Sequence, residues 1–211
     1  WDIGGPQPAV VALAEAGEFG GDVLDIGCGL GGNAIFLASR GSRVTGLDDA
    51  ATAIRLATEE AARRGVAVTF AVADATSLAG YQDSFDSILD SGLFHCLDEE
   101  SRRAYMSALA RVGKPGARLH ILSFTDALPE GTPLRVSEEL LRRHVTAPWV
   151  IERLSQVRYQ TSMSPDELHE NASAMAADQN ADLPVPDLFT DLDTDGDGQA
   201  YFPAWHLVAR L

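Results

Sequence analysis

Short apolar segments alternate with helix-like patterns along the first 125 residues. After a Pro-rich opening, the apolar spacing predicts a short helix at 9–16 that ends at Gly17. Apolar runs of strand length follow at 23–26, 43–47, 66–72, 85–89 and 118–124. Stretches with helical periodicity separate them at 33–40, 50–64 and 99–112. This alternation predicts a doubly wound, mostly parallel α/β sheet, whose ligands lie at the carboxyl ends of the strands.

The last third of the chain changes in composition. A helical pattern at 137–144 and apolar segments at 150–159 and 201–211 predict a helix and a closing pair of strands, for a seven-stranded sheet with an antiparallel last strand. Between them, 164–200 holds ten Asp or Glu and no Lys or Arg, so it carries −10 of the formal net charge of −15. We expect an acidic insertion there, either a solvated loop or a lid over the active site.

Composition narrows the possible partners. The 211 residues are 45% hydrophobic and 22% charged, and no apolar run approaches the ~20 residues that a membrane helix needs. A net charge of −15 repels a phosphate backbone, which argues against nucleic acid as a partner. Cys28 and Cys96 are too few for a disulfide framework, and no leader-like pattern precedes Trp1. We therefore expect a cytoplasmic protein without membrane partners, and its oligomeric state stays open.

A glycine-rich turn follows the first predicted strand and opens the next helix, in the sequence VLDIGCGLGG at 23–32. Glycine lets a ligand approach the backbone, and the start of a helix presents unpaired N–H groups, so a nucleotide-like ligand belongs here. Gly27, Gly29 and Gly32 also satisfy G-x-G-x-x-G, with Asp48 placed 21 residues after Gly27, as in dinucleotide-binding proteins. A nicotinamide-dependent oxidoreductase is therefore one reading of the turn.

Two details favour a cationic ligand over a dinucleotide. Asp25 stands just before the glycines, where a carboxylate would repel a pyrophosphate but would suit the sulfonium and ammonium groups of S-adenosylmethionine. Lys114 is the only lysine and no Tyr stands four residues before it, so the Tyr-x-x-x-Lys pattern of small nicotinamide oxidoreductases is missing.

Five motifs resemble, in order, those of class I S-adenosylmethionine-dependent methyltransferases. They are Asp25–Gly31, Val44–Asp48, Ala73–Ala75, Phe85–His95 and Lys114–Gly116. The opening Trp-Asp-x-Gly-x-x-x-Pro resembles the thiopurine, thiol and halide methyltransferase branch, and the whole set is similar to actinobacterial enzymes that methylate heterocyclic toxins. The resemblance implies one methyltransferase domain over 1–211, with a cofactor-covering segment at 1–20, a cofactor-binding core at 21–125 and a substrate-side part at 126–211.

The resemblance also assigns cofactor-binding residues. Three belong to the glycine turn: Asp25, Gly27 and Gly29. Asp48, at the end of the second strand, is implied to accept hydrogen bonds from both ribose hydroxyls, with a helix N-cap as its alternative role. Asp49 is counted with the cofactor residues and is also the better candidate for the N-cap of the helix at 50–64.

The remaining cofactor assignments follow later strands. The resemblance implies that Asp74 accepts the adenine amino group while the Ala75 N–H faces a ring nitrogen; a plain turn is the alternative for Asp74. Asp90, closing the fourth strand, would either meet the ligand's ammonium or fix a turn. Trp1 is similar to a residue that covers the methionine end of the cofactor, or is simply an exposed terminal aromatic.

The expected reaction is methyl transfer to nitrogen, oxygen or sulfur of a small, heteroaromatic acceptor, with detoxification as a possible purpose. His95, just beyond the fourth strand, is the candidate general base, with a structural histidine as the alternative. Phe94 is a candidate wall of the substrate pocket, or core. Aromatic residues of the last third suit a flat acceptor: Trp149, Tyr159, Phe189, Tyr201, Phe202 and Trp205. Asn-Pro-Pro-Tyr is absent, which argues further against nucleic-acid modification.

An acidic stretch near the C-terminus resembles a calcium loop. Asp191, Asp193 and Asp195 match positions 1, 3 and 5 of an EF-hand, but position 12 is Phe202 rather than Glu. Asp-Gly pairs also suit a hairpin turn, which is the preferred reading. A calcium-responsive binding module on a degenerate methyltransferase fold is the non-enzymatic alternative, and we expect no metal in the enzyme itself.

Overall fold

Seven strands and six α-helices follow one another in the part of the chain that the structure describes. The computed structural model describes residues 2–128, 134–178, 189 and 191–211, with the backbone alone over 175–178. The strands are β1 (Asp22–Ile26), β2 (Arg43–Asp48), β3 (Thr69–Val72), β4 (Phe85–Ser91), β5 (Gly113–Phe124), β6 (Val150–Gln160) and β7 (Tyr201–Arg210). The helices are α1 (Pro8–Glu15), α2 (Gly32–Ser39), α3 (Ala51–Arg64), α4 (Glu99–Val112), α5 (Glu138–His144) and α6 (Pro165–Asp178).

The strands form one sheet in the order β3-β2-β1-β4-β5-β7-β6. Neighbours from β3 to β5 pair in parallel, and β7 pairs antiparallel with both β5 and β6. The predicted mostly parallel sheet with an antiparallel last strand is confirmed. The strand order reverses between β1 and β4, and such a switch point opens a crevice at the carboxyl ends of the strands. The glycine turn after β1 lies at this crevice.

Strand β1 lies at the centre of the sheet and is buried on both faces. Leu24 and Ile26 belong to the core cluster on one face of the sheet, and Val23 to the cluster on the other. A strand covered on both faces needs a continuous apolar run, because neither side meets water. Asp25 interrupts that run while remaining only 1% exposed. A buried carboxylate in a central strand costs stability, which marks it as a functional position.

Two boundaries differ from the predicted ones by three residues or more. Strand β3 begins at Thr69 rather than at 66, and β5 begins at Gly113, because Gly113 pairs with Phe85 across a register shift in β4. The predicted turn at Lys114–Gly116 therefore lies within β5, where Gly116 has a φ of 84°.

The acidic stretch 164–200 begins with helix α6, which the charge run did not predict. Ser164 and Glu167 form a reciprocal cap at its start: the Ser164 N–H donates to Oε2 of Glu167 at 2.8 Å, and the Glu167 N–H donates to the Ser164 hydroxyl at 3.3 Å. This Ser-x-x-Glu capping box is visible in the sequence. Leu168 packs this helix into the core. Residues 179–188 lie outside the described part, and with them the centre of the expected lid.

Candidate active site

The turn after β1 lies at the crevice and is fixed by its own backbone: the N–H groups of Gly27 and Cys28 donate to the Leu47 carbonyl, and that of Gly31 donates to the Cys28 carbonyl. Gly27, Gly29 and Gly31 all have positive φ, and Gly31 is the N-cap of α2. A side chain at Gly31 would be strained, and its Cβ would lie 2.7 Å from the Phe70 ring. The turn therefore takes the close backbone path that only glycine allows.

Asp48 holds this turn from the end of β2. Its Oδ2 atom accepts the Gly29 N–H at 2.8 Å, and its Oδ1 atom accepts the Ala50 N–H at 2.9 Å. The carboxylate thus joins the glycine turn to the loop that precedes α3. The prediction that Asp49 caps α3 is wrong, because α3 begins after Ala50 without a side-chain cap. Asp49 lies exposed beside Asp48.

Asp25 lies beneath the turn, at the start of α2. Burial raises the pKa of its carboxyl to about 7; a hydrogen bond from the Ala34 N–H lowers it, and the charges of Asp90 and Asp48 raise it further. Its Oδ2 atom is buried and has no hydrogen-bond partner among the described residues. A buried carboxylate oxygen of this kind needs a donor or a cation. The site therefore fits a ligand that brings a positive group to the glycine turn.

Asp74 and Ala75 follow β3 at the same edge. The Asp74 Oδ1 atom accepts the backbone N–H of Thr76 at 2.7 Å and its hydroxyl at 2.6 Å, and the hydroxyl hydrogen bond lowers the pKa of Asp74. Asp74 is an exposed residue, so its carboxylate stays accessible while it holds this turn. Asp74 thus forms a turn and keeps a free acceptor in the same geometry.

Asp90 is occupied by the turn that follows β4. It is fully buried, and its carboxylate accepts the Leu93 N–H at 2.8 Å, the Phe94 N–H at 3.1 Å and the Tyr105 hydroxyl at 2.8 Å. Burial nevertheless raises the pKa of Asp90 to about 6. Of its two predicted roles, the geometry supports fixing the turn, because these donors use the lone pairs that an ammonium would need.

The geometry does not support His95 as a general base. Its Nδ1 atom accepts the Phe124 N–H at 3.2 Å, so the proton of the neutral ring lies on Nε2. Burial, helped by the charge of Arg102, lowers the pKa of His95 to about 4. Its one unprotonated nitrogen therefore faces a backbone donor. His95 presents Nε2–H as a hydrogen-bond donor instead.

Phe94 points away from the crevice. It is fully buried in the core cluster on the α4 side, with the guanidinium of Arg102 5.2 Å from its ring centroid and the His144 ring at its edge. The expectation that Phe94 forms a pocket wall is therefore wrong. Within one turn, Phe94 and His95 face opposite sides of the loop, and Phe94 anchors it to the core.

A cleft of about 340 Å³ lies over the glycine turn. Its lining comes from the N-terminal segment, the turn and the ends of β4 and β6: Asp2, Ile3, Gly5, Gln7, Gly27, Cys28, Gly29, Leu30, Gly32, Asn33, Ser91 and Tyr159. A larger cleft of about 960 Å³ opens at the amino ends of β1 to β3, on the opposite edge, away from every predicted site residue. Trp1 lies outside the described residues.

Ser91 is a site residue that the sequence reasoning missed, and Tyr159, predicted as one of six aromatic residues suited to a flat acceptor, lines the cleft beside it. The Tyr159 hydroxyl donates to the Ser91 carbonyl at 3.1 Å and lies 3.2 Å from the Ser91 hydroxyl. The Phe124 ring joins them to His95: His95 stacks on it at 4.3 Å, and Tyr159 meets it edge-on at 5.4 Å. Ser91 and Tyr159 lie at the carboxyl ends of β4 and β6, which meet at the same edge of the sheet, and this placement is the signal that could have found Ser91.

Comparison with known proteins agrees with this arrangement. A family model described as a methyltransferase domain matches residues 23–116. The chain is 44% identical over 162 residues to the 2-heptyl-1-hydroxyquinolin-4(1H)-one methyltransferase of Mycobacteroides abscessus, covering 75% of this chain and 71% of the relative. It is 29% identical over 168 residues to "Probable thiol methyltransferase 2" of Arabidopsis thaliana, covering 78% and 74%.

A solved structure from work on the conversion of a disulfide bond into a thioacetal group during echinomycin biosynthesis superposes with a TM-score of 0.79. It is 34% identical and covers 100% of this chain and 84% of that chain. The chain belongs to the S-adenosylmethionine-dependent methyltransferases. The resemblance stated from the sequence motifs is thus confirmed, together with the enzyme class.

The acidic turn of this methyltransferase is a hairpin. The Asp195 N–H donates to the Gln199 carbonyl at 2.9 Å, and Thr194 bridges to Ala200. Oδ1 of Asp195 accepts the N–H groups of Asp197 and Gln199, and its Oδ2 accepts the side-chain amide of Gln160 at 2.5 Å. Both oxygens are thus used by the fold. Across the described residues, no three His, Cys, Asp or Glu side chains are grouped as a metal site. The hairpin reading fits this geometry better than the calcium loop.

In the described part of the chain, no helix is both long enough and apolar enough to cross a bilayer.

Proposed function

We propose that this enzyme transfers a methyl group from S-adenosylmethionine to a nitrogen, oxygen or sulfur atom of a small heteroaromatic molecule. The observation that carries the acceptor class is the 44% identity to a hydroxyquinolone methyltransferase. Tyr159 lines the cleft and offers an aromatic contact to a flat ring. Behind it, the buried Phe124 ring meets Tyr159 edge-on and stacks on His95 with an interplanar angle of 17°, which fixes this wall of the cleft.

The proposed donor-binding residues are those that the fold leaves with spare hydrogen-bonding capacity. The buried Oδ2 of Asp25 would accept a hydrogen bond from the ammonium of the methionine part, beside the glycine turn. Asp48 is held in place by two backbone donors, and each of its oxygens keeps a lone pair for a ribose hydroxyl. Asp74 and the Ala75 N–H would meet the adenine edge. We keep Trp1 and Asp49 as further candidates for this region.

S-adenosylmethionine supplies a methyl group that is already electrophilic, so the protein needs mainly to align the acceptor and exclude water. His95 would orient the acceptor through its Nε2–H, because its other ring nitrogen is occupied. We therefore propose acceptors that present a lone pair without losing a proton to His95: ring nitrogens, thiolates and acidic hydroxyls.

The donor is tested by thermal unfolding with S-adenosylhomocysteine, NAD or calcium added separately. A ligand at 100 times its Kd stabilises the folded state by about 2.7 kcal/mol. We expect a rise in Tm with S-adenosylhomocysteine and none with NAD or calcium. A rise with NAD alone would favour a nicotinamide-dependent oxidoreductase, and a rise with calcium alone would favour a calcium-responsive module.

The acceptor is tested by incubating the enzyme with S-adenosylmethionine and 2-heptyl-1-hydroxyquinolin-4(1H)-one, and following the methylated product by mass spectrometry. Related quinolones, pyridines and aromatic thiols extend the series. Transfer to ring compounds but not to aliphatic thiols or amines of similar size is the expected result. Binding of S-adenosylhomocysteine without transfer to any ring compound would reject the acceptor class and leave the donor assignment intact.

We further propose one domain over 1–211 and a cytoplasmic location without a nucleic-acid partner. Cys28 and Cys96 are both free thiols, and the net charge of −15 opposes a phosphate backbone. Fractionation of the cells that produce the protein, and a gel-shift assay with DNA and RNA, test these two points.

A further inference from the structure

The N-terminal segment, residues 2–7, forms one wall of the cleft, and Gln7 fastens it. Gln7 is only 4% exposed, and its side-chain amide pairs with the backbone of Gln160 at the end of β6. Oε1 of Gln7 accepts the Gln160 N–H at 3.0 Å, and Nε2 donates to the Gln160 carbonyl at 3.0 Å. A side-chain amide offers the same donor and acceptor as a peptide. Gln7 thus pairs with the free edge of β6 in the way that one residue of an adjacent strand would.

The same residue also joins the segment to the glycine turn. The Gln7 N–H donates to the side-chain oxygen of Asn33 at 2.9 Å, in the first turn of α2. Two residues earlier, the Gly5 carbonyl lies so close to Gly32 that a Cβ there would be 2.5 Å from the oxygen. The segment therefore lies directly on the start of α2, between the donor-binding turn and β6.

The side chain of Gln160 extends in the opposite direction, to the acidic turn 191–199. Its Nε2 atom donates to Oδ2 of Asp195 at 2.5 Å and lies 3.2 Å from Oε1 of Gln199. Asp195 is the residue that organises this turn. Gln160 thus contacts the N-terminal segment through its backbone and the acidic turn through its side chain.

We propose that Gln7 is a positioning residue for the methyl donor and that Gln160 links the acidic turn to it, so that the turn helps to hold the N-terminal wall of the cleft. The inference rests on the proposed donor, and it gives the acidic turn a role in place of calcium binding. Gln7 holds a wall of the donor cleft rather than taking part in the transfer. Loss of the hydrogen bonds between the Gln7 side chain and Gln160 weakens donor binding and leaves the chemical step unchanged.

Three variants test this: Gln7→Ala, Gln160→Met and the double variant. Gln160→Met keeps the backbone groups that pair with Gln7 and removes only the side-chain hydrogen bonds to the acidic turn, at Asp195 and Gln199. Gln156→Ala is the matched control, since Gln156 is exposed on the same strand. We measure the Kd of S-adenosylhomocysteine by calorimetry, and KM for S-adenosylmethionine and for the acceptor together with kcat. Circular dichroism of the unliganded variants reports folding.

We expect Gln7→Ala to raise the Kd and the donor KM about tenfold, from the loss of two buried hydrogen bonds, and Gln160→Met to raise them about threefold. The acceptor KM and kcat stay at the values of Gln156→Ala. In the double variant the Kd matches that of Gln7→Ala alone, because the turn acts through the same contact.

Several results would overturn the inference. An unchanged Kd in Gln7→Ala, or a fall in kcat with an unchanged Kd, would reject the positioning role of Gln7. If the fold-changes in Kd of the two single variants multiply in the double variant, the link through Gln160 is rejected. If Gln7→Ala fails to fold, the Kd of Gln160→Met decides, and a value equal to the control rejects the inference. If the wild-type protein itself does not bind S-adenosylhomocysteine, the proposed donor fails first.

Discussion

The backbone N–H of Phe124 donates to Nδ1 of His95 at 3.2 Å, and this contact fixes what the histidine can do. The ring is stacked on the Phe124 side chain with 4.3 Å between centroids and is only 7% exposed. A buried neutral imidazole with its Nδ1 lone pair occupied carries its proton on Nε2. Across the neutral pH range, His95 is therefore a fixed hydrogen-bond donor beside the cleft.

The first prediction concerns His95 and pH. Because the pKa of His95 is about 4, a plot of kcat/KM against pH from 5.5 to 8 shows no inflection from this residue, when the acceptor itself does not ionise in that range. His95→Asn keeps an acceptor for the Phe124 N–H and loses Nε2–H, so we expect methyl transfer to fall about tenfold while S-adenosylhomocysteine still binds. An inflection near pH 6.5 that disappears in His95→Asn would instead identify a general base.

The second prediction concerns Asp48. Its carboxylate satisfies two backbone donors, on Gly29 and Ala50, so Asp48→Ala removes both the proposed ribose acceptor and the support of the glycine turn. We expect the Kd of S-adenosylhomocysteine to rise about a hundredfold in Asp48→Ala and about tenfold in Asp48→Asn, which keeps one acceptor oxygen. Calorimetry measures both. If both variants bind S-adenosylhomocysteine with the Kd of the wild type, Asp48 does not belong to the donor site.

The proposed donor-binding residues can be named from the sequence because their cues are local. The glycines, Asp25 and Asp48 stand at the ends of strands whose apolar runs are easy to see, and parallel strands bring their carboxyl ends to one edge. The capping box of Ser164 and Glu167 is an equally local cue for a helix. The acidic charge of 164–200 pointed instead to a solvated loop or a lid.

The rest of the site depends on contacts between distant residues. The role of Asp90 is set by the Tyr105 hydroxyl, on a helix 15 positions later. The tautomer of His95 is set by a backbone group 29 positions later. The pairing of Gln7 with Gln160 spans 153 positions. No periodicity or motif encodes such pairs, because each forms only after the sheet brings two segments together.

The third prediction concerns the stability that the protein loses by burying the carboxylate of Asp25. With a pKa raised from 3.8 to about 7, the folded protein keeps a proton that the unfolded chain releases, so this contribution to stability is lost as pH rises from about 4 to 7. Asp25→Asn avoids the buried charge and should raise the free energy of unfolding of the unliganded protein at pH 8 by about 4 kcal/mol, at about 1.4 kcal/mol per pKa unit.

The same substitution should weaken donor binding, because the amide no longer attracts an ammonium. Urea unfolding at pH 5 and pH 8, each with and without S-adenosylhomocysteine, separates the two effects. The expected pattern is a gain in stability that shrinks at pH 5, together with a smaller stabilisation by the ligand. A variant that is less stable at pH 8 and binds normally would show that Asp25 serves the fold rather than the ligand.

The last prediction concerns Gly32, whose space is taken by the N-terminal segment. A methyl group there would lie 2.5 Å from the Gly5 carbonyl, so in Gly32→Ala the wall formed by residues 2–7 must move away from α2. Gly32 is the first residue of α2 and has no positive φ, so the helix itself tolerates Ala at this position. We therefore expect a melting temperature near that of the wild type and a Kd for S-adenosylhomocysteine raised about tenfold. Gly20→Ala is the matched control, because nothing lies within 4 Å of its Cβ and its backbone is unstrained. If both variants bind the ligand equally well, the segment does not close the cleft in solution; if only Gly32→Ala loses affinity while keeping its fold, contact between the segment and the glycine turn is required for donor binding.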